Sequence, residues 1–500
     1  MKFISALFVI FILIISSYPV SAHGFGERYD LPLPLSYFMI GAAATVAVSF
    51  LIIGWFFSQS LNDQKYWTLN LFSFRYVKIV LKFFSFLFGV ISVALLILCI
   101  FTGFVGTQEP LDNFSPTFIW IIWWVGIGYL VALLGNIWLF TNPWLILFTL
   151  LDRRKSSDPI LKWNQKIESW PALILFLIFA WIENVYSGAS QPFHLSIFLI
   201  IYTFYTFTGM LLFGKHVWLN NADPFHILFG LFSRFSPTEI ESEISNCSKC
   251  SSDCLIQSRC IGCLECWEKS EPKYRKLNIR FFFVGLTSGE KIKTSVMFFH
   301  ITALATVTFD GFAETPVWIE IQNIIWPLVN LLNLNNSSVI TSLGSVFFPL
   351  FFSVIYVSIC SWTSKISKGL ISTEQVSKTF VFSLVPIALA YNLSHYFSFL
   401  IITGQNIIPL ISDPFGFDWN LFGTKNYVPN FSIINARFVW ILSVVSLVVG
   451  HIISVYVSHK IASRDISSNK LVIKTQIPML FLMVFYTAIS LWIIAQPIVE

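Results

Sequence analysis

The chain has 500 residues, of which 56% are hydrophobic, 17% aromatic and only 11% charged, against roughly 25% charged in a soluble domain. The formal net charge of +5 is too small to mark a nucleic-acid-binding surface, and the mean hydropathy of +0.73 excludes an ordinary water-soluble globule. Apolar residues lie in long blocks, which must be helical in lipid because no solvent completes the backbone hydrogen bonds. The expected fold class is therefore all-α: a polytopic integral membrane helical bundle in a lipid bilayer, with about ten transmembrane helices after a cleaved signal peptide.

Residues 1–22 read as that signal. Lys2 precedes an apolar run, and Val20-Ser21-Ala22 places small residues at a cleavage site, leaving His23 as the mature N-terminus. Spans are expected near 36–57, 79–105, 117–140, 170–186, 192–213, 294–312, 340–361, 378–402, 435–458 and 477–496. Two further apolar pieces, 143–151 and 317–333, read as interfacial or re-entrant, and an amphipathic interfacial helix fits 223–235. This divides the chain into an N-terminal membrane bundle (23–235), a Cys-rich loop (236–293) and a C-terminal membrane bundle (294–500). With the mature N-terminus outside, Arg75 and Lys78, then Arg153, Arg154 and Lys155, then Lys365 and Lys368, all fall inside. Loop 106–116 carries Glu109 and Asp112 with no basic residue and falls outside. The alternation follows the positive-inside rule throughout and places the Cys-rich loop in the cytoplasm of a cell-membrane protein.

That loop holds Cys247, Cys250, Cys254, Cys260, Cys263 and Cys266, six of the eight cysteines. Thiols stay reduced in the cytoplasm. Their short spacing lets thiolates converge on zinc, with four ligands on one ion or six shared between two. An iron–sulfur cluster is the competing occupant, and a disulfide-bonded loop would require the opposite sidedness. Cys99 and Cys360 stand alone in spans and read as packing residues.

Ionisable groups at membrane depth are costly and are functional candidates. Glu183 ends the fourth span, Asp310 and Glu314 end the sixth, and Gln405, Asp413 and Asp418 follow the eighth, all on one face. Any one of these can simply cap a helix. His395, with Tyr391 one turn earlier, and His451 lie within spans, as does His300. Two histidines on facing helices can hold a metal or relay protons. His23, offering α-amine and imidazole, is a candidate ligand for a second metal, copper or zinc. Asp223-Pro224-Phe225 recurs at Asp413-Pro414-Phe415 on opposite faces. An inverted repeat would leave such a trace, although three residues also recur by chance.

The start His23-Gly24-Phe25-Gly26-Glu27-Arg28-Tyr29-Asp30-Leu31-Pro32, the stretch Thr308 to Pro316, the stretch Tyr391 to Tyr396 with Gly404-Gln405, Ser412 to Gly416 and Gly450-His451 together resemble a family of bacterial polytopic proteins labelled fenitrothion hydrolase-like. The resemblance covers most of the membrane part, with the cysteine loop as an insertion, and implies hydrolysis of an organophosphate ester.

Three functions remain in play. The first is a metal-assisted, membrane-embedded hydrolase with its site near the outer face, using Asp310, Glu314, His395 and His451 as ligands or bases. The second is an ion- or proton-coupled transporter of a small molecule or ion using the same side chains. The third is a structural subunit that docks a membrane-complex partner through the cysteine loop. No P-loop, HExxH or G-x-S-x-G motif points elsewhere.

Overall fold

A computed structural model describes residues 29–56, 66–152, 159–250, 254–256, 259–290, 292–331, 337–466 and 468–496. The expected signal segment, His23 and the basic triplet 153–155 lie outside these residues. Among the described residues, ten helices are long and apolar enough to cross a membrane: Leu35–Trp55, Arg75–Val105, Phe114–Leu134, Gln165–Asn184, Pro192–Phe213, Thr294–Ala313, Ser338–Ile366, Thr373–Ser412, Ala436–Arg464 and Lys470–Ala495. The protein is a multi-pass membrane protein, and these are its first to tenth spans.

Local chemistry sets the span ends. Pro192 opens the fifth span, where its missing N–H costs nothing, and Gly214 follows the last residue at φ +85°. The third span was expected to run to 140 but stops at Leu134. Gly135 turns the chain at φ +130°, and the Thr238 hydroxyl takes up the Leu134 carbonyl. A Cβ on Gly135 would lie 1.9 Å from that hydroxyl, so no other residue fits. Before that stop, Phe118–Gly126 winds as a wide π-helix, a form that turns side chains off the regular register.

The first span leaves its chain neighbours and packs on the ninth and tenth, where Val46, Leu447 and Leu491 share one core. Spans approach closely where glycine removes a side chain. Gly450 of the ninth span would place a Cβ 2.5 Å from Ala390 Cβ of the eighth, and Gly103 of the second would place one 2.3 Å from the Pro192 carbonyl oxygen.

Pro143–Leu151, Pro224–Phe235 and Pro316–Leu331 are short helices. The second does not lie flat at an interface. Phe225, Leu228, Phe229 and Leu231 are buried against the third, fourth and sixth spans, so this helix enters the bundle. Asp223 caps its start through the His226 N–H, whereas Asp413 closes a turn through the Phe417 and Asp418 N–H groups. The recurring Asp-Pro-Phe thus serves two different backbone geometries.

One element was not foreseen. A five-stranded antiparallel sheet, ordered β1-β5-β2-β4-β3, joins β1 (Leu69–Asn70), β2 (Thr238–Ser242), β3 (Leu255–Ile256), β4 (Arg259–Ile261) and β5 (Lys276–Ile279). The segment between the first two spans therefore pairs with the cysteine loop. On the other side, Thr107 and Phe114 donate to the carbonyls of Phe415 and Pro414. Loops expected to share a side of the membrane are in contact on that side. Glu239, buried in β2, accepts from Arg280 at 2.5 Å, Arg259 at 2.6 Å and Tyr66 at 2.6 Å, and this ion network anchors the sheet.

Candidate functional site

Two clusters of chemistry-bearing side chains emerge. In the loop, all six cysteines carry free thiols. Their sulfurs form two groups of four, each group within 4.8 Å: Cys247, Cys254, Cys260 and Cys266, and Cys250, Cys254, Cys263 and Cys266. Separations are 3.4 Å for Cys250–Cys263, 3.6 Å for Cys254–Cys266 and 3.8 Å for Cys260–Cys254. Short turns bring them together. A 3-10 turn over Ile244–Lys249 carries Cys247, the β3–β4 hairpin presents Cys260, and the helix Leu264–Lys269 carries Cys266, whose N–H points at the Cys263 sulfur at 3.5 Å. Burial, then the charge of Cys263, push the Cys266 thiol up, so packed thiols of this kind favour the thiolate only around a cation. The cluster can bind a metal.

The second cluster joins spans. Asp310 Oδ2, from the sixth span, lies 2.9 Å from His395 Nε2 and accepts from the Tyr396 hydroxyl at 2.5 Å, both on the eighth. Glu314, one turn further and exposed, lies within electrostatic reach of both Asp310 and His395. Gly311 makes the contact possible, since a Cβ there would stand 2.6 Å from the Tyr391 hydroxyl. Glu183 approaches from the fourth span, accepting from Trp124 Nε1 at 2.6 Å and coupling electrostatically to Asp310. Glu183 and Tyr396 both line a cavity of about 40 Å³, which Thr306 and Asn392 also edge and whose remaining wall is largely apolar. A cavity of this size has room for about three waters at roughly 10–15 Å³ each.

Of the residues singled out from sequence, Asp310, His395 and Glu314 come together. His451 sits deeper and completely buried. Its Nδ1 bonds the Leu447 carbonyl at 2.7 Å, its Nε2 has no partner, and its ring faces Tyr486 at 6.0 Å. Tyr486 in turn bonds Thr308 at 2.6 Å, two residues before Asp310 along the sixth span. Asp413 and Asp418 stay in their own turn, and Gln405 ties to Tyr427 and Asn430. His23 lies outside the described residues. Sequence reasoning passed over Tyr396 and Trp124, because only the register between spans reveals their partners. Among the described residues, groups of three or more metal-ligating side chains converge only at the thiols.

No family model matches the chain, and no curated protein or solved structure is measurably similar to it.

Proposed function

We propose that this protein is an ion- or proton-coupled carrier, oriented with the cysteine loop in the cytoplasm, and that the loop folds around zinc. The carrying observation is one aspartate oxygen shared by a histidine and a tyrosine of a neighbouring span. Three groups that can each take or give a proton meet there, near the far end of two helices and one small cavity away from a second carboxylate, Glu183. The sixth span, entered at Lys293, carries His300, Thr306 and Asp310 at intervals of six and four residues. Lys293 and Val296 line the large cleft on the loop side, and Thr306 lines the small cavity. His300 stands between them with an unpartnered Nε2 and its ring against Phe382.

Zinc is favoured over an iron–sulfur cluster by the sulfur separations. Four thiolates on one tetrahedral ion with Zn–S of about 2.3 Å stand about 3.8 Å apart, as these do, whereas thiolates on separate irons spread across the whole cluster. The resemblance to fenitrothion hydrolase-like proteins favours a second reading, ester hydrolysis at Asp310 and Glu314 by a metal-activated water. In that reading the partly open carboxylate pair would recruit the ion together with a ligand such as His23.

Purified protein in proteoliposomes carrying an internal pH dye tests the first reading. An imposed potential should drive proton entry that disappears in Asp310→Asn and His395→Ala. Equal flux in wild type and both variants would overturn it, and ester hydrolysis without flux would transfer support to the second reading.

A further inference from the structure

We infer that the cysteine loop holds two metal ions bridged by Cys254 and Cys266. The inference rests on the zinc reading and deepens it. In a simple zinc knuckle both cysteines of a C-x2-C pair chelate the same ion. Of the three C-x2-C pairs here, Cys263 and Cys266 stay together in one group, and the other two are split. Cys247 falls in one group of four and Cys250 in the other, and Cys260 and Cys263 divide in the same way. Cys254 and Cys266 belong to both groups.

This is the arrangement of two tetrahedra sharing an edge. Two four-coordinate ions need eight ligand positions, and six thiolates supply them when two thiolates serve twice. The shared edge, Cys254–Cys266, measures 3.6 Å. The Cys260–Cys254 edge of the first tetrahedron measures 3.8 Å, and the Cys250–Cys263 edge of the second 3.4 Å. All three are close to the edge of about 3.8 Å that zinc–thiolate bonds require.

The backbone explains the split. The Cys250 N–H turns back onto the Cys247 carbonyl at 3.3 Å, and Gly262, at φ +71°, turns the chain between Cys260 and Cys263. Each turn points its two sulfurs in different directions, one per ion. Binding two divalent ions releases six thiol protons to solvent and leaves the cluster with a net charge of −2. Lys269 lies within electrostatic reach of Cys250 and Cys266 and offsets part of that charge.

Metal analysis of the full-length protein purified in detergent decides the stoichiometry. Two zinc ions per chain are expected. One per chain overturns the bridged arrangement while leaving the zinc reading intact, and none, or iron instead, overturns both. Cadmium-113 substitution should give two resonances in the all-thiolate range, each split by the other through the shared sulfurs. A single resonance refutes the inference. Cys254→Ser should release both ions and Cys247→Ser only one. Retention of two ions in Cys254→Ser would show that the sulfur is not shared.

Discussion

Adding one methyl group at Gly311 should damage the protein, whereas the same addition at Gly230 should strengthen it. At Gly311 the new Cβ would lie 2.6 Å from the Tyr391 hydroxyl, 3.1 Å from Ile493 Cγ2 and 3.5 Å from His395 Cε1. Comfortable carbon contacts run from about 3.5 to 4.0 Å, so two of the three are too short. Tyr391 has little room to retreat. It is completely buried, with its ring between His395 at 6.3 Å and Tyr486 at 6.4 Å. Overpacking of this kind costs about 1–3 kcal/mol. At Gly230, inside the helix Pro224–Phe235, nothing lies within 4 Å of the added carbon. Replacing a helical glycine there gains about 0.5–1 kcal/mol from the unfolded chain's lost freedom. The two variants should therefore differ by about 1.5–4 kcal/mol, read as opposite shifts of the unfolding midpoint in a detergent titration. Gly311→Ala should also disturb the Asp310–His395 contact and weaken flux, and Gly230→Ala should not. If Gly311→Ala unfolds at or above the wild-type midpoint, the sixth and eighth spans do not approach as described, and the argument for the site fails with them.

Tyr396→Phe deletes one of the two donors to Asp310 and should cost about 1–3 kcal/mol in the same titration, with Tyr396→Trp no better because the hydroxyl position is lost. Glu268 tests the docking of the loop helix on the segment after the fifth span, where it meets Lys215 at 2.6 Å and His216 at 3.1 Å. Burial alone would raise its carboxyl, but the His216 and Lys215 contacts overrule burial and hold it at about 2. Its contribution is thus complete above the unfolded carboxyl value of about 4.3 and fades as pH falls toward 2. With 38% of the side chain exposed, that contribution stays below about 1 kcal/mol. Glu268→Gln should flatten this acid limb of the stability curve, and an unchanged limb would discount the contact. For sidedness, an impermeant thiol reagent on intact cells should label Glu109→Cys and spare the loop cysteines, and the reverse pattern would invert the proposed orientation.

The spans were legible because lipid leaves the sequence so little choice. Runs such as 192–213 carry their own punctuation, with Pro192 at the start and Gly214 after the end. The third span overran its true end because Gly135 acts through Thr238, a partner about a hundred positions away that no local window contains. The sheet escaped notice for the same reason. β1 is two residues long, and its partner β5 lies beyond four further spans. Thiol spacing announced a metal site, but the division of the pairs Cys247–Cys250 and Cys260–Cys263 between two groups depends on turn geometry. In the membrane, Asp310 and His395 each stood out as costly groups. Their contact depends on two helices meeting at Gly311, and one sequence read alone cannot supply that register.

One rigid connection runs from the loop toward the membrane site. Arg280 of the loop is buried, bonded to Glu239, and donates to the carbonyls of Ser233, Arg234 and Ser236 at the end of the helix Pro224–Phe235. At its other flank that helix presents Leu228, Phe229 and Phe232 to the small cavity shared by Glu183 and Tyr396. Breaking a buried charge pair such as Glu239–Arg280 costs about 3–5 kcal/mol, so the loop does not separate cheaply from the helix it holds. A change in the loop that moves β2 or β5 therefore reaches the helix end first and the small cavity through it. That physical continuity gives a cysteine loop on one side of the membrane a route to influence proton-bearing groups near the other.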